Sequence, residues 1–423
     1  MKRLLLSMAA LPLMVGGLSV SASADGINIL DNMKLKGEIR PRYENVDVSN
    51  STKSNANAFT ARTKLEVTAD LLGIDGLSAT VGVISVNNFG SDKYNSTLNG
   101  ETTYETVADP QQAMISNAAV DYKINDTTLH AGRGQVNLDN QRFIGTVGWR
   151  QLERSYDTLF IANNSIKNLS VLAAWVYGYQ GVANAGASTA DKTTDTNTVL
   201  LHAAYTVMPE LKVTAYDYMI ANVHDTYGLA LTGKIKTSMA KLNYRAEYAS
   251  QSDATMEKGV QTPTTGNADA YYYNLDLGAN VNGILAGVNY EFLSGTNGTD
   301  GNTAFSTPLA TGHKFNGWAD KFLATPSGGL ADFNVRLGYT AKGLGKLLAV
   351  YHDFTADKAM TAGTGTSDDL GSEFDAVYVN KIPGVNNLKG LLKYANYSGG
   401  AVNGYVNDVQ KIWVGLDYKF AMK

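Results

Sequence analysis

KLKGEIRPRY, Lys34 to Tyr43, puts Lys34, Lys36, Glu38, Arg40 and Arg42 on one side of an extended chain and Leu35, Gly37, Ile39, Pro41 and Tyr43 on the other. A strand charged along one face and uncharged along the other needs water on the first and hydrocarbon or a core on the second. FTARTKLEVTADLL repeats the pattern: Phe59, Ala61, Thr63, Leu65, Val67, Ala69 and Leu71 oppose Thr60, Arg62, Lys64, Glu66, Thr68 and Asp70. Similar segments recur near 76–87, 112–124, 127–135, 156–163, 167–179, 196–208, 210–220, 226–235 and 237–249. Others fall near 269–280, 283–294, 331–341, 346–356, 371–382, 387–397 and 409–420, about 18 strands in all.

The connections alternate in length. Tight turns fall at Gly73-Ile74-Asp75-Gly76, Asn125-Asp126, Pro209-Glu210, Asn282-Gly283, Gly343-Leu344-Gly345 and Pro383-Gly384. Long polar loops lie at 88–111, 136–155, 180–195, 250–268, 295–330 and 357–370. An even strand count with short turns at one end and long loops at the other is the pattern of an all-β, transmembrane antiparallel barrel, with periplasmic turns and extracellular loops. A Lys or Arg on the lipid face costs roughly 2–4 kcal/mol at the midplane, so the charged face is the lumen. Arg40, Arg42, Arg62, Lys64, Arg245, Asp276 and Arg336 are therefore expected to line the pore. Two strands resist this reading. Strict alternation puts Arg133 of TTLHAGRGQ on the face of Leu129 and Ala131. Either a bulge at Gly132 returns it to the lumen or it lies above the hydrocarbon, and the flanking glycines favour the bulge. In KLLAVYHDF both faces are apolar until His352 or Asp353, and parity is unassigned.

The chain has 423 residues and shows no composition break within them. Cysteine is absent, and the five histidines are scattered, so disulfides, thiolate chemistry and a His-based metal site are not expected; no cofactor is implied. Tyr (24) outnumbers Phe (12), which suits interfacial aromatic girdles but also follows from strand propensity alone. MKRLLLSMAALPLMVGGLSVSASADG reads as a signal peptide, residues 1–24, with Lys2 and Arg3 before an apolar run and Ala22-Ser23-Ala24 at the cleavage site. Residues 25–423 then form one barrel domain. Removing Lys2 and Arg3 takes the formal charge from −4 to −6, so no nucleic-acid partner is expected.

GRGQVNLDNQRFIGTVGWRQLERSYD (Gly132 to Asp157) holds Arg133, Arg142, Arg150 and Arg154, from only nine Arg after residue 24. The segment resembles a run of the LDxQRFxGxxxWRQ type in the alginate-export family of outer-membrane proteins. GHKFNGWADKFLATPSGGL (Gly312 to Leu330) is a second matching stretch. The resemblance implies an 18-stranded barrel with a constricted, positively charged lumen that passes an anionic polymer. Carried over by position, Arg133, Arg142 and Arg150 are candidate constriction cations, with Asp139 and Gln141 as their partners. Guanidinium groups bind carboxylates through paired hydrogen bonds, which suits anion selection. The alternative is that Asp139–Arg142 and Glu153–Arg154 are ion pairs pinning the loop to the wall. Phe315, Trp318 and Phe322, with Asn316 and Asp320, form either a lumen surface or a loop packed on itself.

The leading expectation is a porin-type channel in the outer membrane of a Gram-negative bacterium, passing small hydrophilic solutes, anions among them. A dedicated exporter of an acidic, alginate-like polysaccharide is the alternative. An outer-membrane enzyme or adhesin ranks lower, because no nucleophile–histidine pattern such as G-x-S-x-G occurs. The expected partners are outer-membrane lipid, the solute, and the barrel-assembly machinery. The last is implied by KIWVGLDYKF, which resembles a C-terminal insertion signal but is followed by Ala421, Met422 and Lys423. Monomer and oligomer look alike at this level.

Overall fold

A computed structural model describes residues 29–182, 193–258, 269–296 and 303–422. The expected signal peptide, residues 1–24, lies outside the described residues, as do parts of the loops expected at 180–195, 250–268 and 295–330. The strands are β1 (Leu30–Val48), β2 (Ala56–Leu71), β3 (Leu77–Asn87), β4 (Gln112–Ile124), β5 (Thr127–Gly134) and β6 (Ser155–Asn163). They continue with β7 (Leu169–Gln180), β8 (Thr194–Met208), β9 (Leu211–Ile220), β10 (His224–Lys236), β11 (Lys241–Ser252) and β12 (Ala270–Val281). The last are β13 (Ile284–Leu293), β14 (Leu330–Ala341), β15 (Gly345–Ala362), β16 (Gly365–Lys381), β17 (Leu388–Ser398) and β18 (Val409–Met422).

Each strand pairs antiparallel with its neighbours in sequence, and β1 closes on β18, from Leu35 opposite Met422 to Val48 opposite Val409. Closure removes every sheet edge, so the backbone N–H and C=O groups of the wall are satisfied within it, which a hydrocarbon environment demands. The side chains are sorted inside out relative to a water-soluble protein. Ile39, Phe59, Leu159, Trp175, Leu229, Leu275, Leu337 and Val414 are exposed, while Glu38, Arg42, Thr60, Arg62, Glu247 and Asp332 are buried. A continuous exposed apolar surface around a closed barrel is a lipid-facing band. The alternation read from KLKGEIRPRY thus holds in the structure.

Two expectations are corrected. Residues 357–370 are not a loop: β15 and β16 run on as a hairpin joined only at 363–364. No register shift occurs at Gly132, because Ala118↔Arg133 and Arg133↔Asp157 continue their ladders unbroken. Arg133 therefore stays on the outward face with Leu129, at the long-loop end of β5, and is not a lumen cation. Its charge is met there by a two-pronged pair with Asp157 (2.6 and 2.7 Å). The parity of KLLAVYHDF is also settled. Leu347 and Tyr351 are exposed to the outside, whereas Val350, His352 and Phe354 are buried inside.

Candidate functional site

β5 is the shortest strand, at 8 residues, because the chain leaves the wall at Gln135 and turns into the lumen until Arg154. The segment from 303 to 329 does the same between β13 and β14. Each is anchored by an aromatic side chain. Phe143 packs against Tyr216, Tyr218, Tyr272 and Phe305, and Phe322 packs against Phe354, Tyr397 and Tyr405. Burying each ring contributes roughly 1.5–3 kcal/mol toward keeping its loop inside. The loops also bond to one another: Gly145 N–H donates to Leu309 O (2.9 Å) and Thr311 Oγ1 to Gln141 Oε1 (2.8 Å).

Charge then fixes the first loop to β1 and β2. Arg40 donates to the carbonyls of Gly148 (2.9 Å) and Arg150 (2.5 Å), and Arg42 to that of Trp149 (2.7 Å) and to the Asp109 carboxylate. Glu153 accepts from Arg62 and from Lys64 (2.8 Å). Gln151 Nε2 reaches Thr60 Oγ1 (3.0 Å), and its N–H donates to Asp109 Oδ1 (2.8 Å). Arg150 spans both loops, donating to Glu44 (3.1 Å) and to Asp320 Oδ2 (3.1 Å). On the opposite wall Arg142 donates to Glu291 (2.8 Å) and to Asn316 Oδ1 (3.0 Å).

The site residues expected from sequence are placed as follows. Arg40, Arg42, Arg62, Lys64, Arg245, Asp276 and Arg336 all face inward, but Arg42 and Arg62 are buried under the first loop. Arg245 is paired with Glu247 (2.7 Å), and Arg336 grips Asp276 with both prongs (2.6 and 2.8 Å). Arg142 and Arg150 are likewise buried, with the chain's own carboxylates as acceptors. Asp139 bonds to His202 (2.9 Å) instead of Arg142, and Gln141 serves Thr311. Glu153 pairs with the wall, not with Arg154, which donates to Pro308 O (3.1 Å). The loop is pinned, but by partners far away in sequence.

Sequence reasoning did not find the hub where both loops meet β17 and β18. Three of the four tryptophans converge on Lys393, whose Nζ lies 3.9 Å from the Trp318 ring, 4.1 Å from Trp149 and 5.2 Å from Trp413. Nζ also contacts His313 Nε2 at 2.6 Å. The Asp320 carboxylate only accepts, so His313 Nδ1 carries the proton given to it (2.6 Å) and Nε2 is left to accept from Lys393 Nζ. Lys411 completes the hub on Asp320 (2.8 Å). Burial would raise the Asp320 carboxyl, but His313, Lys411 and Arg150 hold it well below the usual carboxylate range. Burial pushes the His313 imidazole down to about 3, with Asp320 opposing and Lys393 adding to the shift. Burial would likewise raise Asp109 and Glu153, which Arg42 and Arg62 respectively hold below their ordinary values.

Gly317 is a point of the second loop where glycine is required. It has φ +82°, and a Cβ there would lie 2.3 Å from Glu373 Oε2. That turn aims the N–H of Trp318 at Asp375 (3.1 Å) and of Ala319 at Glu373 (2.6 Å). Gly317→Ala is expected to cost about 1–2 kcal/mol in backbone strain alone and to loosen the segment. Limited proteolysis of the folded variant, with cuts mapped to 312–329, checks this; an unchanged digestion pattern would contradict it.

No family model and no curated protein matches the chain. Solved structures do match in fold. OccAB4 of Acinetobacter baumannii is 15% identical, covering 93% of this chain and 99% of its own at a TM-score of 0.69. OccK1 (OpdK) of Pseudomonas aeruginosa is 12% identical, covering 93% and 100% at 0.70. OpdK solved with vanillate is 13% identical, with the same coverage, at 0.69. This chain is therefore similar in architecture to Occ-type outer-membrane porins. These matches are not alginate exporters, so the family suggested by residues 132–157 is without support from them.

Proposed function

We propose that the protein is a passive, porin-type channel of a Gram-negative outer membrane for small hydrophilic solutes, anions among them. The observation that carries this is a closed barrel, apolar outside and polar inside, whose lumen is narrowed by two inserted loops tied to its wall. Space remains below those loops: a 530 Å³ cavity at the short-turn end is lined by Lys36, Glu38, Lys64, Glu66, Lys389 and Lys419. The fold likeness to OpdK, a structure solved with vanillate, agrees with transport of a small carboxylate. In this reading residues 1–24 are a cleaved signal, the short turns are periplasmic, and β18 is read by the barrel-assembly machinery. Arg142 and Arg150 shape the constriction as pins, and Lys64, Arg245 and Arg336 with Asp276 line the path. Acidic polysaccharide export is not favoured, since both loops occupy the lumen that a polymer would thread.

Planar-bilayer recording of the refolded protein tests this. Steady channels of small conductance, with a reversal potential under a salt gradient displaced toward the anion equilibrium potential, are expected. A correctly folded barrel that passes no current would overturn the channel reading.

A further inference from the structure

Between β11–β15 and the inserted residues 314–318 lies a second cavity of 400 Å³, within the roughly 300–1,000 Å³ usual for small-molecule sites. We propose that it is a binding site for a neutral polyhydroxylated solute of the monosaccharide class. Six asparagines line it: Asn140, Asn243, Asn274, Asn289, Asn316 and Asn334. A carboxamide both donates and accepts, as a hydroxyl does, so a wall of amides matches a ring of hydroxyls and offers an ion no net charge. Several amide contacts within the wall are long: Asn243 to Asp276 and Asn289 to Asp276 at 3.5 Å, and Asn334 to Asn289 at 3.3 Å. Such contacts are readily exchanged for shorter ones to a ligand. Asn274 is 5% exposed and, among the described residues, makes no side-chain hydrogen bond although it faces the cavity.

Most of the charged groups around these amides are already matched. Arg336 grips Asp276, Arg245 bonds Glu247, Glu291 accepts from Arg142, and His352 contacts Asp332 at 2.9 Å. Lys314 donates to the Asn140 carbonyl (2.8 Å). Among the described residues of the lining, Lys314 is the cation without a carboxylate partner, and it is exposed and so screened by water. An ion entering here would lose hydration for little counter-charge, which disfavours it relative to a neutral solute. Phe315, Trp318, Leu348 and Val350 add an apolar side, suited to the C–H faces of a sugar ring.

This deepens the channel reading but depends on it only for the route by which solute arrives. The test is therefore binding to folded protein in a polyoxyethylene detergent, which carries no sugar headgroup, followed by saturation-transfer NMR with D-glucose and, separately, with acetate. Glucose is expected to bind with a Kd on the order of 1–10 mM, and acetate not to compete. Asn274→Ala and Asn334→Ala should each weaken glucose binding about fivefold while the barrel keeps its heat-modifiable migration on gels. Glucose binding unaffected by both variants, displacement of glucose by acetate, or no glucose signal at about 100 mM would each overturn the assignment. Conductance without glucose binding would remove the site and leave the channel. Glucose binding without conductance would remove the channel and leave the site.

Discussion

Asp320→Ala is expected to release the 303–329 segment from the lumen and to raise single-channel conductance several-fold, with the barrel intact. Asp320 accepts from Arg150 (3.1 Å), His313 (2.6 Å) and Lys411 (2.8 Å). Removing the carboxylate leaves buried Lys411 without a carboxylate partner and Arg150 with Glu44 and Asp109 alone, and breaking a buried pair in this way costs about 3–5 kcal/mol. That is comparable to the combined grip of the segment's aromatic anchor and its remaining bonds, whereas the strand ladders of the wall do not involve Asp320. The effect should appear as new protease cleavage within 312–329 and larger current steps, while gel migration of the folded barrel stays unchanged. Wild-type conductance and protection in the variant would refute the latch.

The same hub has a defined pH response. Asp320 is depressed, so its contribution is present above the unfolded carboxyl value of about 3.9 and is lost as pH falls through its lower folded value. His313 is also depressed, to about 3, so the unfolded imidazole takes up a proton near pH 6.5 while the folded one does not. Hub stability therefore declines gradually as pH drops from about 6.5 and steeply only below about 4. Protease sensitivity of 312–329 measured from pH 8 to 3 should rise in that order. A maximum of stability at pH 5 would contradict it.

Alternation was enough to recover the faces of nearly every strand, because a Lys or Glu turned to lipid is too costly to tolerate away from the rim. Arg133 escaped that logic by lying at the rim, where Asp157 on the adjacent strand answers it and no bulge is needed. His352 was ambiguous in sequence because the Asp332 that claims it sits on β14, 20 residues away. The loop partners were harder still. Asp139–Arg142 and Glu153–Arg154 are the natural guesses for a reader who sees only neighbours. A barrel lumen instead brings Arg142 to Glu291, 149 residues on, and Arg150 to Asp320, 170 residues on. The tryptophans at 149, 318 and 413 could be counted but not assembled, since nothing local signals that Lys393 lies between them. Residues 357–370 read as loop because a hairpin extending past the membrane has water on both faces and loses the alternation.

Glu291→Ala and Arg142→Ala decide whether the Arg-rich loop selects anions directly or is held in place by its arginines. Glu291 receives Arg142 Nε (2.8 Å), Asn316 Nδ2 (2.6 Å) and the Tyr272 hydroxyl (2.9 Å), so it ties both loops to β13. Arg142 is 3% exposed, with no face turned to a passing solute. If it is a pin, deleting either partner strands the other at a cost of about 3–5 kcal/mol, and both variants loosen the loops. Conductance then rises and ion preference falls in each to a similar degree. The double variant should fall short of the sum of the singles by about 1–3 kcal/mol in loop stability, because it leaves no orphaned charge. A solute-binding arginine makes the opposite forecast: Arg142→Ala lowers anion preference, whereas Glu291→Ala frees the guanidinium and raises it. The reversal potentials of the two single variants move together in the first case and apart in the second, and with Glu291 bonded as it is they should move together.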